Sequence, residues 1–214
     1  MTPRIALVNP NTSAATTAAM LAIARRAAPE GLDLEGITAP FGVPLITSAT
    51  GLAEAGRAVA SLAPALSADG VIVAAFGDPG LDELRQRLAV PVTGIGEAAF
   101  LAAAGRRVAV VTTTPGLATA IGTMARCYGY DGVPVVLTPG DPALLMADAA
   151  ALRQALLAAC LQAVAEYGAE TLIIGGGPLA EAARALRHLV PVPLIEPVPA
   201  AVALAWRRIS HRFV

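Results

Sequence analysis

Arg4-Ile-Ala-Leu-Val-Asn-Pro-Asn11 and Arg107-Val-Ala-Val-Val-Thr-Thr-Thr114 decide the fold. Each is a short apolar run that ends in turn-forming polar residues. That is the pattern of a strand buried on both faces with a βα loop behind it. Two further matches keep nearly the same spacing as the step from Arg4 to Arg107. Asp69-Gly-Val-Ile-Val-Ala-Ala-Phe-Gly77 aligns with Glu170-Thr-Leu-Ile-Ile-Gly-Gly-Gly-Pro178, and Val90-Pro-Val92 aligns with Val192-Pro-Leu194. Three matches at one offset read as an internal repeat. The expected fold is α/β, with two pseudosymmetric lobes, each a mostly parallel sheet flanked by helices. Lobe one covers 1–98 and lobe two 99–197, with a last helix within 198–214 packing back on lobe one.

Working outward, strands are expected at Arg4–Val8, Val71–Ala75, Val92–Ile95, Val108–Thr112, Val133–Leu137, Thr171–Gly175 and Leu194–Ile195. Alanine-rich helical stretches lie between them, near 13–28, 50–67, 79–88, 97–104, 115–128, 142–167, 178–188 and 198–211. In open α/β sheets the ligand site lies at the carboxyl ends of the strands. Two lobes related by a twofold axis point those ends at each other, so the site belongs in the interlobe cleft.

The 214 residues are 56% hydrophobic and 14% charged, with a net charge of −1. This is the profile of a packed domain, not of a disordered chain. No basic stripe exists to displace counterions from nucleic acid, so no nucleic-acid partner is expected. No run of apolar residues is long enough to span a membrane. The N-terminus reads as a strand entering a turn, not as a signal peptide. Two cysteines in a chain of this size suit a cytoplasmic protein. The hydrophobic content points to a homo-oligomer.

Every basic residue is arginine, and the chain has no lysine. A pyridoxal aldimine, a Schiff base and a Walker A lysine are therefore all excluded. Cys127, Cys160, His188 and His211 lack metal-ligand spacing, so no metal and no cofactor are expected. Both cysteines read as small buried residues, and both histidines as helix C-terminal residues favoured there by the dipole.

Four loops can carry chemistry. Asn9-Pro-Asn-Thr-Ser13 offers a helix N-cap at Thr12 or Ser13 and free amides for an anion, although Asn-Pro-x-Thr-Ser is also an ordinary turn and cap. Thr112-Thr-Thr-Pro-Gly116 is its repeat counterpart, with three hydroxyls. Ala75-Phe-Gly-Asp-Pro-Gly80 carries Asp78, which Pro79 also allows as a plain N-cap. Gly175-Gly-Gly-Pro178 lets backbone approach a ligand, but it lacks dinucleotide-binding spacing. Glu97 and Glu196, each following a strand, form a further symmetric pair; either could hold a ligand or pair with an arginine, or be a simple helix N-terminal acid. The expected binding set is Asn11, Thr12, Ser13, Phe76, Thr112, Thr113, Thr114, Gly176 and Gly177.

These loops, in this order, resemble the aspartate/glutamate racemase superfamily, and most closely its hydantoin and allantoin racemase branch. The carriers are Asn9-Pro-Asn-Thr-Ser13, Asp69-Gly70 with Phe76-Gly-Asp-Pro-Gly-Leu81, Pro91-Val92 through Gly94-Ile-Gly-Glu-Ala98, and Val110-Val-Thr-Thr113. The resemblance implies two pseudosymmetric lobes and a cofactor-independent reaction in which two cysteines exchange the substrate's α-proton from opposite faces. It also implies where those cysteines belong, and there this chain carries Ala75 and Gly176. Cys127 and Cys160 match neither position. Ala75 and Gly176 mark where the reacting carbon would sit and would leave that spot roomier and drier.

Four readings follow. Another pair supplies acid and base, with Asp78, Glu97 and Glu196 nearest. The chemistry needs no thiol, as in decarboxylation, elimination, hydrolysis or ring isomerisation. The protein binds a small carboxylate without turning it over. Or both thiols were removed by design. The expectation is an isomerase or lyase acting on a small carboxylate, ureido or cyclic-imide compound. The alternative is a non-catalytic binder on the same scaffold.

Overall fold

In the computed structural model, residues 2–176 and 179–211 are described. The first lobe runs β1 (Arg4–Asn9), α1 (Ala14–Ala27), β2 (Asp33–Thr38), α2 (Ala49–Ser61), β3 (Gly70–Val73), α3 (Leu81–Arg87), β4 (Val92–Gly94) and α4 (Ile95–Ala103). The second runs β5 (Val108–Thr112), α5 (Ala118–Cys127), β6 (Val135–Leu137), α6 (Pro142–Ala147), α7 (Ala149–Tyr167), β7 (Thr171–Ile174), α8 (Ala180–Leu186) and β8 (Leu194–Ile195), followed by α9 (Pro197–Ser210). The two four-stranded sheets have the orders β2-β1-β3-β4 and β6-β5-β7-β8. Every pairing is parallel.

The repeat is visible in the register. Ile5 pairs with Gly70 and Val8 with Val73; at the repeat positions Val108 pairs with Thr171 and Val111 with Ile174. β3 and β7 are buried along their whole length, which is why both read as unbroken apolar runs. α9 packs against α1, α4, β3 and β4, returning the chain to the first lobe. Between the sheets, Phe76, Phe100, Leu117, Ile121, Val110 and Ile173 join one apolar cluster drawn from both lobes.

Four expectations need correction. β2 is missing from the expected strands. Its Asp-Leu-Glu-Gly-Ile-Thr sequence is short, charged on one face and interrupted by glycine, as befits an edge strand. Gly36 lets α1 pack close: a Cβ there would lie 3.0 Å from Thr17 Cγ2 and 3.1 Å from Leu21 Cδ2. The helix expected at 142–167 is two helices. Asp148 breaks it by accepting from the amides of Ala150 and Ala151 and so capping α7. α2 ends at Ser61, before a 3-10 turn that contains Pro64. Cys127 is exposed at the end of α5, whereas Cys160 is buried in the second-lobe core.

Candidate functional site

The carboxyl ends of β1, β3, β5 and β7 converge on a cavity of about 70 Å³ between the lobes, closed by the segments that follow β2 and β6. Its polar lining comes from Asn11, Thr16 and Thr47 in the first lobe and from Thr112, Thr113 and Thr114 in the second. Its apolar lining includes Leu45, Ile46, Phe76, Leu117, Ile121, Met146 and Leu179. Ala75 and Gly176 both line it. No ionisable side chain appears among the described lining residues.

The first-lobe polar edge is built on Asn9, which is fully buried. Its Nδ2 donates to Asn11 Oδ1 (2.8 Å), Thr17 Oγ1 (3.0 Å) and the Ser13 carbonyl (3.1 Å). Its Oδ1 accepts from the Asn11 amide. Asn11 Oδ1 also accepts from the Ser13 amide. With its oxygen engaged from two sides, the Asn11 carboxamide can turn only its NH₂ to the cavity. Ser13, not Thr12, caps α1, accepting from the Thr16 amide and hydroxyl. Thr12 is spent on holding the neighbouring loop, its amide donating to the Val43 carbonyl. Neither Thr12 nor Ser13 lines the cavity; Thr16, one helical turn on, does.

The second-lobe edge is the Thr112–Thr114 run. Thr112 Oγ1 accepts from the Thr114 amide at 3.3 Å, folding the loop back over the strand end. The following Pro115-Gly116 turn meets the first lobe closely. A Cβ on Gly116 would lie 2.4 Å from the Thr47 carbonyl oxygen, so only glycine fits.

Asp78 and Glu97 do not line the cavity. Asp78 is buried and accepts from the amides of Gly96 (2.8 Å) and Glu97 (2.6 Å) at the start of α4. It is not the cap of α3, where Gly80 takes that place. Burial pushes its carboxyl up to about 7, against the pull of those two amides; the Glu97 charge adds to the rise and Arg85 opposes it. Glu97 is clamped by Arg85 Nη2, 2.8 Å from each oxygen, and by Arg208 at 2.9 and 2.7 Å. Burial acts to raise its pKa, but the arginine hydrogen bonds and charges outweigh it and hold the carboxyl below its ordinary range. Glu196 stands at the N-cap of α9 without a side-chain cap bond and does not line the cavity.

Phe76 and Gly176 line the cavity as expected, while Gly177 lies outside the described residues. Position 176 is not simply vacant space. Its φ of +151° favours glycine, and a Cβ there would meet Leu179 Cδ1 at 3.1 Å. Neither cysteine lines the cavity. Burial pushes the Cys160 thiol up to about 12, which makes it an inert core group. Leu45, Ile46 and Thr47 went unrecognised because β2 did. A strand end after Thr38 would have aimed their loop at the site.

A doubly lobed α/β chain with this cleft is a racemase-type fold, and the Asp/Glu/hydantoin racemase family model matches residues 5–205. The chain belongs to that family. It is similar to the hydantoin racemase of Paenarthrobacter aurescens, with 29% identity over 94% of this chain and 89% of the relative. Among solved structures it is similar to allantoin racemase from Pseudomonas fluorescens, with 30% identity, a TM-score of 0.92, and coverage of 98% of this chain and 92% of that one. It is also similar to allantoin racemase from Klebsiella pneumoniae, with 31% identity, a TM-score of 0.90, and coverage of 98% and 89%.

Proposed function

We propose that this chain takes a small cyclic ureide, imide or carboxylate into the interlobe cleft and acts on it, without cofactor, by isomerase or lyase chemistry that uses no thiol. The observation that carries the proposal is the cleft lining. Asn11 from one lobe and Thr112, Thr113 and Thr114 from the other line it, with an apolar wall beside them and Ala75 and Gly176 where the resemblance puts cysteines. Donors held by their own hydrogen bonds suit a carboxylate or an imide oxygen on which charge develops during reaction. Likeness to hydantoin and allantoin racemases over nearly the whole chain supports the ureide class. The lysine-free sequence supports chemistry without an aldimine.

In this reading Asp78 and Glu97 shape the cleft from behind and do not exchange protons with substrate. The exposed Leu144 and Leu189 support the further expectation of a homo-oligomer. The second reading, a binder without turnover, draws support from one observation: no titratable side chain lines the cavity among the described residues.

The test uses thiol chemistry. Titration with 5-isopropylhydantoin and with phenylmalonate, followed by ligand NMR line broadening, is expected to show saturable binding. Iodoacetamide, which reaches the exposed Cys127, is expected to leave binding and any turnover unchanged, as is the Cys127→Ser, Cys160→Ser double variant. Loss of turnover on alkylation at unchanged fold would overturn the thiol-free reading. Absence of binding across the panel would overturn the ligand class.

A further inference from the structure

Gly94 is the N-cap residue of α4 and has no side chain with which to accept from the first amides of the helix. Asp78, from the loop after β3, accepts from them instead, with one oxygen on Gly96 N–H and the other on Glu97 N–H. We infer that Asp78 is a positioning residue of the cleft: seated on the first turn of α4, it holds the Ala75–Gly77 turn, and with it Ala75 and Phe76, in place against the second lobe. The inference rests on the proposed function only in taking this cleft as the working site.

Four observations support it. First, the seat is shaped around the carboxylate. A Cβ on Gly94 would fall 2.2 Å from Asp78 Cγ, and one on Gly96 would fall 3.0 Å from Asp78 Oδ2 and 2.5 Å from Met124 Sδ. Second, the turn is strained and needs a tether. Asp78 has a φ of 48°, one of two non-glycine residues with positive φ among those described, and Gly77 and Gly80 on either side are also positive. Third, Asp78 is linked to the cavity through the turn that precedes it. Its amide donates to the Ala75 carbonyl at 3.0 Å. The Phe76 ring two residues back lies on Gly175 of the other lobe, where a Cβ would come within 2.9 Å of Phe76 Cδ1.

Fourth, the fold does not demand a carboxylate at this place. In the second lobe the repeat position of Asp78 is Leu179, which is buried and lines the cavity. The repeat counterpart of α4 is α9, which begins Pro197-Val-Pro199. The counterpart of the Glu97 amide is thus a proline with no N–H to satisfy. The buried acid belongs to the first lobe alone.

An ionised Asp78 accepts with both oxygens. A protonated one turns an O–H toward an amide N–H and loosens the seat. The charged and titratable groups around it are Glu97 on α4, Arg85 on α3, Arg208 of α9 acting through Glu97, and Tyr128 after α5. Glu97 is held ionised by its two arginines, and Tyr128 is raised well beyond neutral pH. Asp78 is therefore the member of this group that changes charge near pH 7.

The test reads the protein without any ligand. In full-length chain labelled at alanine methyls and aromatic rings, the Ala75 methyl and Phe76 ring resonances are expected to titrate together between pH 5 and 9, with a midpoint near 7. Asp78→Asn is expected to abolish that titration and leave both resonances displaced at every pH. Gly94→Ala, which keeps the acid but fills its seat, is expected to displace the same two resonances. A wild-type titration in which the Asp78 carboxyl carbon moves but Ala75 and Phe76 do not would overturn the inference without recourse to a variant. So would an Asp78→Asn spectrum that changes only at the Gly96 and Glu97 amides, the signature of a helix cap alone. A chain that bound no ligand in the panel above would still give a clear answer here.

Discussion

Glu97→Ala is expected to lower the free energy of unfolding by about 3 kcal/mol. The Glu97 side chain is 6% exposed, and its two oxygens take four hydrogen bonds from Arg85 and Arg208. Removing it leaves two guanidinium groups facing each other across a buried gap. Both also hang on the Val92 carbonyl at the edge of the first sheet, so the damage reaches β4 and the seat of α9. The figure sits at the low end of the range for broken buried pairs because the arginines, 36% and 29% exposed, can swing toward water. Urea unfolding with an unchanged denaturant slope is the check. Replacing Glu97, Arg85 and Arg208 together by methionine is expected to recover most of the loss, since an apolar cluster carries no unpaired charge. The pH dependence has a definite sign. Glu97 is held below its ordinary value of 4.5, so its contribution is intact above that pH and fades as pH falls through the depressed value. The Glu97→Ala variant lacks that acid limb.

Asn9→Ala is the second large effect, expected to cost about 3 kcal/mol and to weaken ligand binding on the order of 100-fold, a free-energy change of about 2.7 kcal/mol. Asn9 is wholly buried, shares its two side-chain N–H groups among three acceptors and accepts one hydrogen bond. Alanine removes the group that ties the Asn11 side chain to Thr17 and Ser13, which keep only their bonds to each other and to Thr38, and it leaves a polar hole in a buried site. It also frees Asn11 to rotate, so its carboxamide NH₂ no longer points steadily at the cavity. Asn11→Ala separates the two roles. It is expected to weaken binding to a similar degree while changing stability by less than the Asn9 variant, because the Asn9 carboxamide keeps its bonds to Thr17 and Ser13. Titration calorimetry with 5-isopropylhydantoin, beside thermal unfolding of both variants, checks the split. Equal affinity for wild type and Asn11→Ala would remove Asn11 from the site.

The parts of this molecule legible in its sequence are those governed by local pattern. The apolar runs at Ile5–Val8 and Val108–Val111 announced buried parallel strands, and their spacing announced the second sheet. Polar residues at those strand ends marked the cleft, and Asn11, Phe76, Thr112–Thr114 and Gly176 do line it. What escaped reading depends on chain segments far apart. An arginine partner for Glu97 was among the readings its position allowed, but which arginine was hidden, because Arg208 stands in the last helix of the fold. Asp78 looked like a cap for the helix directly after it, whereas its oxygens cap α4, beyond the next strand. Asn9, the hub of the first loop, looked like part of a turn, since nothing local shows that its amide reaches Thr17. Strand β2 hid behind its charges and its glycine, and with it went the wall formed by Leu45, Ile46 and Thr47.

On the proposed reading, this cleft acts with no side chain, at Ala75, at Gly176 or elsewhere in its lining, that takes or returns the substrate's α-proton. Proton NMR in D₂O tests it most directly, using enantiopure 5-substituted hydantoins and substituted malonates against a protein-free control. Saturable line broadening and new product resonances are expected, while the α-proton signal of unreacted substrate decays no faster than in the control. Deuterium entry at the α-carbon of otherwise unchanged substrate, with loss of optical rotation at the same rate, would contradict it and would require a base in the cleft.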